Sequence, residues 1–205
     1  HQLTAIELVP VFSYLGQGRK CKSCKEPISS RYMLVELLTG ILFSLYMFTT
    51  LMYGSVEILS PQWTINLLVG YLVISTLVSI AFIDIDTMEI PDRFHIILIV
   101  SSIVLTIANG GSLMETLIAG LLIGVPMFIV AFITMGLGLG DVKLLFASGM
   151  LFGAYNTIVV ILIGSLTAIA YGLITKVGKG KKFPFGPHLT IGMFVVLLLT
   201  VGGFL

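Results

Sequence analysis

The chain is 205 residues long, 57% of them hydrophobic and only 10% charged, with a mean hydropathy of +1.10. Such a composition excludes a water-soluble globule: at about 20 apolar residues per bilayer crossing, six or seven crossings leave no room for a separate soluble domain of ordinary size. A formal net charge of +1 excludes, as a bulk property, a strongly basic nucleic-acid binder or an acidic disordered tail, so no nucleic-acid partner is expected.

In chain order, residues 1–32 form the main non-membrane stretch and residues 33–205 a helical membrane domain. Apolar runs long enough to cross a bilayer lie at about 33–53, 62–83, 93–109, 113–136, 156–175 and 188–205. Between the fourth and fifth, Val142 to Gly153 is apolar but too short to span alone, and reads as a tilted or half-buried seventh helix. With seven crossings, alternate connections collect all eleven Lys and Arg residues on one side, from Arg19, Lys20, Lys22, Lys25 and Arg31 to the basic stretch Lys176 to Lys182. The positive-inside rule makes that side cytoplasmic, and it requires the short helix, without which Lys176 to Lys182 would face outward. Tyr53, Trp63 and Tyr155 fall near the predicted outer ends, where an aromatic belt belongs. The predicted fold class is therefore an all-α polytopic membrane protein of about seven transmembrane helices in a lipid bilayer, without internal repeats. The basic stretch reads as a solvated loop drawn to lipid headgroups.

The acids gather just after the second apolar run, at Asp84, Asp86, Glu89 and Asp92, and one more, Asp141, follows a turn with glycines at 136, 138 and 140. Two crossings separate these places, so Asp84 and Asp141 return to the same face. Ionisable groups at membrane depth are costly and tend to face a bundle interior. Asp84 adjoins Ala81-Phe82-Ile83 and is the deepest of its cluster. The glycines allow close backbone approach, by a neighbouring helix or an extended peptide. Two carboxylates at one site share a proton, so one activates water while its protonated partner polarises a peptide carbonyl, which is aspartic protease chemistry. The bland alternatives are a helix-end carboxylate for Asp84 and an N-terminal helix charge for Asp141. A proton-coupled transporter would also use such a pair, although the inverted repeats usual in transporters are not visible.

Cys21 and Cys24 are the only cysteines, in a segment that reads as cytoplasmic, where a structural disulfide is disfavoured. Their C-x2-C spacing suits two thiolates on a tetrahedral zinc but gives only half a structural site, and two loop thiols or a redox pair remain open readings. Arg19, Lys20, Lys22 and Lys25 would favour the thiolates.

Taken together, these residues resemble the type IV prepilin peptidases, bacterial leader peptidase and N-methyltransferase enzymes among the intramembrane GxGD aspartyl proteases. The resemblance rests on Leu8 to Leu15, on Cys21 to Ser29 with Arg31 to Gly40, on Asp84 with Ile90-Pro91-Asp92, on Gly138 to Lys143, and on Pro184-Phe185-Gly186-Pro187. It implies catalytic aspartates at Asp84, seven residues before the proline, and at Asp141, with Asp86 the rival for the first role. The implied reaction is cleavage of prepilin or pseudopilin leaders after the glycine that ends a short basic leader, at the cytoplasmic face of a bacterial inner membrane. N-methylation of the new N-terminus by S-adenosylmethionine is also implied for the full-length form. It implies structural zinc, with Cys21 and Cys24 as half of a four-cysteine knuckle, and an earlier helix and first cysteine pair before His1, so the front is expected to be missing. An acidic cluster of Asp86, Glu89 and Asp92 would draw the basic leader, with plain solvation as its safer reading. Methyl transfer is not derivable from these residues; Glu36 is a candidate contributor, with a helix-start charge as its plain reading. His188, where the family usually has an apolar or aromatic residue, reads as packing or interfacial. Rival readings include a related peptidase acting on archaellins and an inert pilus-assembly scaffold.

Overall fold

In the computed structural model, residues 4, 9, 11–54, 56–175 and 183–205 are described. The basic stretch Lys176 to Lys182 and parts of the segment before Val11 lie outside them. The described residues are all helical apart from turns and one isolated bridge, Lys20 to Pro27. Two compact units are distinguished, His1–Leu45 and Tyr46–Leu205.

The first unit holds α1 (Phe12–Gly16) and the start of α2 (Ser30–Tyr53). Glu36 accepts the Val11 N–H at 2.8 Å, binding the entry to α1 onto α2.

The second unit is built from the end of α2, α3 (Pro61–Thr87), α4 (Asp92–Ala108), α5 (Leu113–Thr134), α6 (Leu139–Thr175) and α7 (Gly186–Val201). Among the described residues, four helices, α2, α3, α5 and α6, are long and apolar enough to cross a membrane. The helix starts follow local chemistry. Ser60 accepts the Trp63 N–H at 3.1 Å and Pro61 occupies the first helical position, where its missing donor costs nothing. Ser112 caps α5 by accepting the Glu115 N–H, in the S-x-x-E pattern of a capping box. Met88 in the left-handed region ends α3, its N–H returning to the Asp84 carbonyl at 2.9 Å. At about 1.5 Å per residue, α3 is about 40 Å long, more than the ~30 Å hydrocarbon core, so its C-terminal turn carries Asp84 toward the membrane boundary.

The short helix expected over residues 142–153 is the first limb of α6. Gly153, at φ 82 and ψ 162, breaks α6 into limbs 139–152 and 154–175. The Ser148 and Thr157 hydroxyls lie 3.3 Å apart. In a straight helix, nine residues would separate them by about 13.5 Å, so the chain doubles back at Gly153. With α2, α3, α4, α5 and α7, the two limbs give the seven helical segments expected.

Val73, Ile74, Ile80, Leu98, Leu144 and Leu189 are fully buried where α3, α4, α6 and α7 converge. The outer face of α5 exposes Leu121, Leu122, Phe128 and Phe132, the apolar surface a bilayer covers. Small residues bring α5 and α6 close: a Cβ at Gly149 would lie 2.8 Å from the Ala119 carbonyl oxygen. Tyr53 and Tyr155 are exposed, as the belt requires, but Trp63 is buried with its indole N–H unpartnered, so it is a packing residue rather than a headgroup anchor.

Candidate active site

Asp84 occupies the last turn of α3 and is 5% exposed. Asp86, two residues further, is turned by about 200° on the helix and is exposed. That periodicity separates the two rivals, and only Asp84 lines the cavity described below. The loop expected to carry the acidic cluster is shorter than the sequence implied, because Asp86 still belongs to α3 and Asp92 already opens α4.

Asp141 lies in the first turn of α6, after the glycine-rich turn. Its carboxylate lies beside Gly138. Both acids line one cavity of about 300 Å³, together with Glu89, Ile90, Gly138 and Gly140. Two of the glycines stand in tight surroundings. A Cβ at Gly138 would stand 3.2 Å from Asp141 Oδ2, and one at Gly140 would stand 3.3 Å from Ile90 Cβ. A Cβ at Gly136 would meet nothing nearer than 3.7 Å.

Three further groups surround the pair. The Gly186 N–H, at the start of α7, donates to Asp84 Oδ2 at 2.9 Å. Lys143 donates to Asp92 Oδ1 at 2.6 Å, and this bond, with the lysine charge, holds the Asp92 carboxyl below the usual carboxylate range. His95 on α4 is 4% exposed, with Nε2 at 3.0 Å from the Gly140 carbonyl oxygen and Nδ1 at 3.7 Å from Asp92 Oδ1. Asp92, His95 and Lys143 also border a second cavity of about 490 Å³ whose other walls, including Val125, Phe128 and Phe146, are apolar.

Sequence reasoning did not single out His95, nor Gly186 as a partner of Asp84. For His95 a signal existed: an ionisable side chain inside an apolar run faces the bundle interior. For Gly186 the motif Pro184-Phe185-Gly186-Pro187 marked the place, but nothing in it named a partner 102 residues away. His188 packs among aromatic rings, its centroid 5.4 Å from that of Tyr171 and 6.1 Å from that of Phe183, as a packing role predicts.

Cys21 and Cys24 share a tight turn. The Cys21 N–H donates to the Glu26 carbonyl at 2.9 Å, the Lys25 N–H to the Cys21 carbonyl at 3.0 Å, and the Ile28 N–H to the Arg19 carbonyl at 2.8 Å. Neither cysteine forms a disulfide. Among the described residues no group of three or more His, Cys, Asp or Glu comes together to hold a metal ion, so the turn fits two positions of a tetrahedral site and no more.

The chain can be set against known proteins. Residues 71–173 match the Type IV leader peptidase family, and residues 1–50 match the Bacterial Peptidase A24 N-terminal domain. A prepilin leader peptidase/N-methyltransferase of Neisseria gonorrhoeae is 32% identical over 201 residues, covering 95% of this chain and 66% of that protein. Proteins of the same description from Aeromonas hydrophila and Bacillus subtilis (strain 168) are each 33% identical, covering 97% and 96% of this chain and 68% and 77% of their own lengths. The chain thus spans about two-thirds of the length of the first two. No solved structure matches it. With half of its length matched by the leader-peptidase model and relatives one-third identical along nearly all of it, the chain belongs to the type IV leader peptidase family.

Proposed function

We propose that the chain is an aspartyl endopeptidase that cleaves the leaders of type IV prepilins or pseudopilins, with Asp84 and Asp141 as the catalytic pair. The observation that carries this reading is that the two carboxylates, 57 positions apart in the chain, line one small cavity where α3 ends and α6 begins. With one proton between them, the ionised carboxylate takes a proton from water as the water oxygen bonds to the scissile carbonyl carbon. The protonated partner donates to the carbonyl oxygen. Collapse of the tetrahedral intermediate breaks the C–N bond as one of its hydroxyls returns a proton to the carboxylate that had donated one, and the proton taken from water passes to the leaving amine. The Gly186 N–H holds the Asp84 carboxylate from behind.

The site is at the cytoplasmic face of a bacterial inner membrane in this reading, because every Lys and Arg falls on that side of the predicted topology. A substrate with a basic leader and an apolar helix suits the surroundings. Glu89 at the cavity supplies an attracting charge, and the adjoining apolar cavity lies beside Asp92 and Lys143.

Two extensions concern the first unit. Bound zinc would take thiolates from Cys21 and Cys24 and two ligands from outside the described residues, serving a structural role. Zinc content before and after replacing both cysteines with serine tests it. N-methylation of the new N-terminus by S-adenosylmethionine is the second extension, and no residue is assigned to it, since Glu36 is engaged by the Val11 N–H.

The test of the peptidase reading is cleavage of a prepilin leader peptide by the detergent-solubilised chain. Asp84→Asn and Asp141→Asn each abolish cleavage, whereas Asp86→Asn retains it. Normal turnover by either of the first two variants sinks the pair.

A further inference from the structure

We propose that His95 is a positioning residue for Asp141, acting through the carbonyl of the intervening Gly140; the assignment rests on the peptidase reading above. His95 stands on α4, one turn inside the helix, and is buried against the start of α6. The Gly140 oxygen is only an acceptor, so the His95 Nε2 within 3.0 Å of it carries the proton and donates. A carbonyl oxygen has two lone pairs and accepts this bond alongside any bond within its own helix.

The position of that bond gives it its role. The Gly140 carbonyl carbon is bonded directly to the Asp141 nitrogen, so fixing the oxygen fixes the peptide plane from which Asp141 projects. Gly140 has no side chain to restrict its backbone, and the atoms nearest to a Cβ added there belong to Ile90. The peptide that precedes Asp141 is therefore held by the His95 ring, while the Asp141 carboxylate lies beside Gly138. On the ring's other side Nδ1 has no hydrogen-bond partner among the described residues and lies 3.7 Å from Asp92 Oδ1, the oxygen that Lys143 holds at 2.6 Å. Lys143 follows Asp141 by two residues. Asp141 thus lies between two α6 residues, Gly140 and Lys143, each of which is bonded to α4.

A mispositioned catalytic group lowers turnover more than binding, and a displacement near 1 Å costs on the order of 100-fold. The decisive comparison is His95→Gln with His95→Met, two side chains of equal length of which only Gln carries an N–H near the place of Nε2. In the leader-peptide assay, with Asp141→Asn run alongside, His95→Met loses roughly 10- to 100-fold in kcat with KM little changed, and His95→Gln recovers most of the loss. A residue that merely packs would give the two variants the same kcat. Equal kcat for Gln and Met at similar melting temperatures overturns the proposal, as does wild-type kcat for Met. If Asp141→Asn itself cleaves normally, the peptidase reading has failed, which is a different result.

Discussion

The backbone N–H of Gly186 donates to Asp84 Oδ2 at 2.9 Å, joining the first turn of α7 to the last turn of α3 across 102 residues of chain. The first N–H groups of a helix have no partner inside it, and the helix end carries partial positive charge, so a carboxylate there satisfies both needs. Asp84 meets this need from a buried position, where an ionised group requires hydrogen bonds to its charged form. The contact leaves no space for a side chain at Gly186: a Cβ would stand 2.8 Å from Oδ2 and 3.0 Å from the carboxyl carbon.

Gly186→Ala therefore displaces the Asp84 carboxylate. Cleavage of a prepilin leader by this variant falls by roughly 10- to 100-fold, mainly in kcat. Gly172→Ala is the control, since nothing lies within 4 Å of its added Cβ. Equal activity of the two variants would show that Asp84 tolerates the shift.

The Asp92–Lys143 pair gives a pH prediction. The Lys143 hydrogen bond, its charge and, to a lesser degree, His95 hold the Asp92 carboxyl below its ordinary value. A carboxyl lowered on folding contributes stability above its unfolded pKa, and that contribution is lost as pH falls through the lowered folded value. In Lys143→Met the Asp92 midpoint rises toward about 3.9, read by carboxyl carbon NMR. Both side chains are largely exposed, at 53% and 70%, so high salt weakens the effect in the wild type. An unchanged midpoint in Lys143→Met rules out Lys143 as the cause.

The helical segments were legible because a bilayer demands long apolar runs and the basic residues declare the side on which each run ends. Even the first limb of α6 could be inferred, since eleven basic residues cannot be kept on one side without it. Asp84 and Asp141 were legible for a related reason: a carboxylate beside an apolar run carries a solvation cost that points to an interior role. What lay beyond the sequence was the pairing of particular atoms. The Gly186 N–H and Asp84, or His95 and the Gly140 carbonyl, meet only once four helices are packed, and periodicity within one helix says nothing about the rotation of the next. Trp63 was misplaced for the same reason, because its position along the membrane normal was readable and the direction of its side chain was not.

Gly153 turns the two limbs of α6 back on one another, and its φ of 82 with ψ of 162 lies in a region open essentially to glycine alone. No neighbour lies within 4 Å of an added Cβ, so crowding is not the issue and the backbone conformation is. Gly153→Ala is expected to cost about 1–3 kcal/mol. Part of that strain falls on the turn that brings Ser148 within 3.3 Å of Thr157. A straightened limb would carry residues 154–175 out of contact with α7, where Gly164 now packs against the His188 carbonyl and Leu189. Thermal unfolding in detergent should therefore show a lower midpoint for Gly153→Ala. Gly40→Ala, inside α2 with open space at its Cβ, should raise the midpoint slightly through helix propensity. Equal midpoints for the two variants would mean that the left-handed turn at Gly153 does not hold the hairpin.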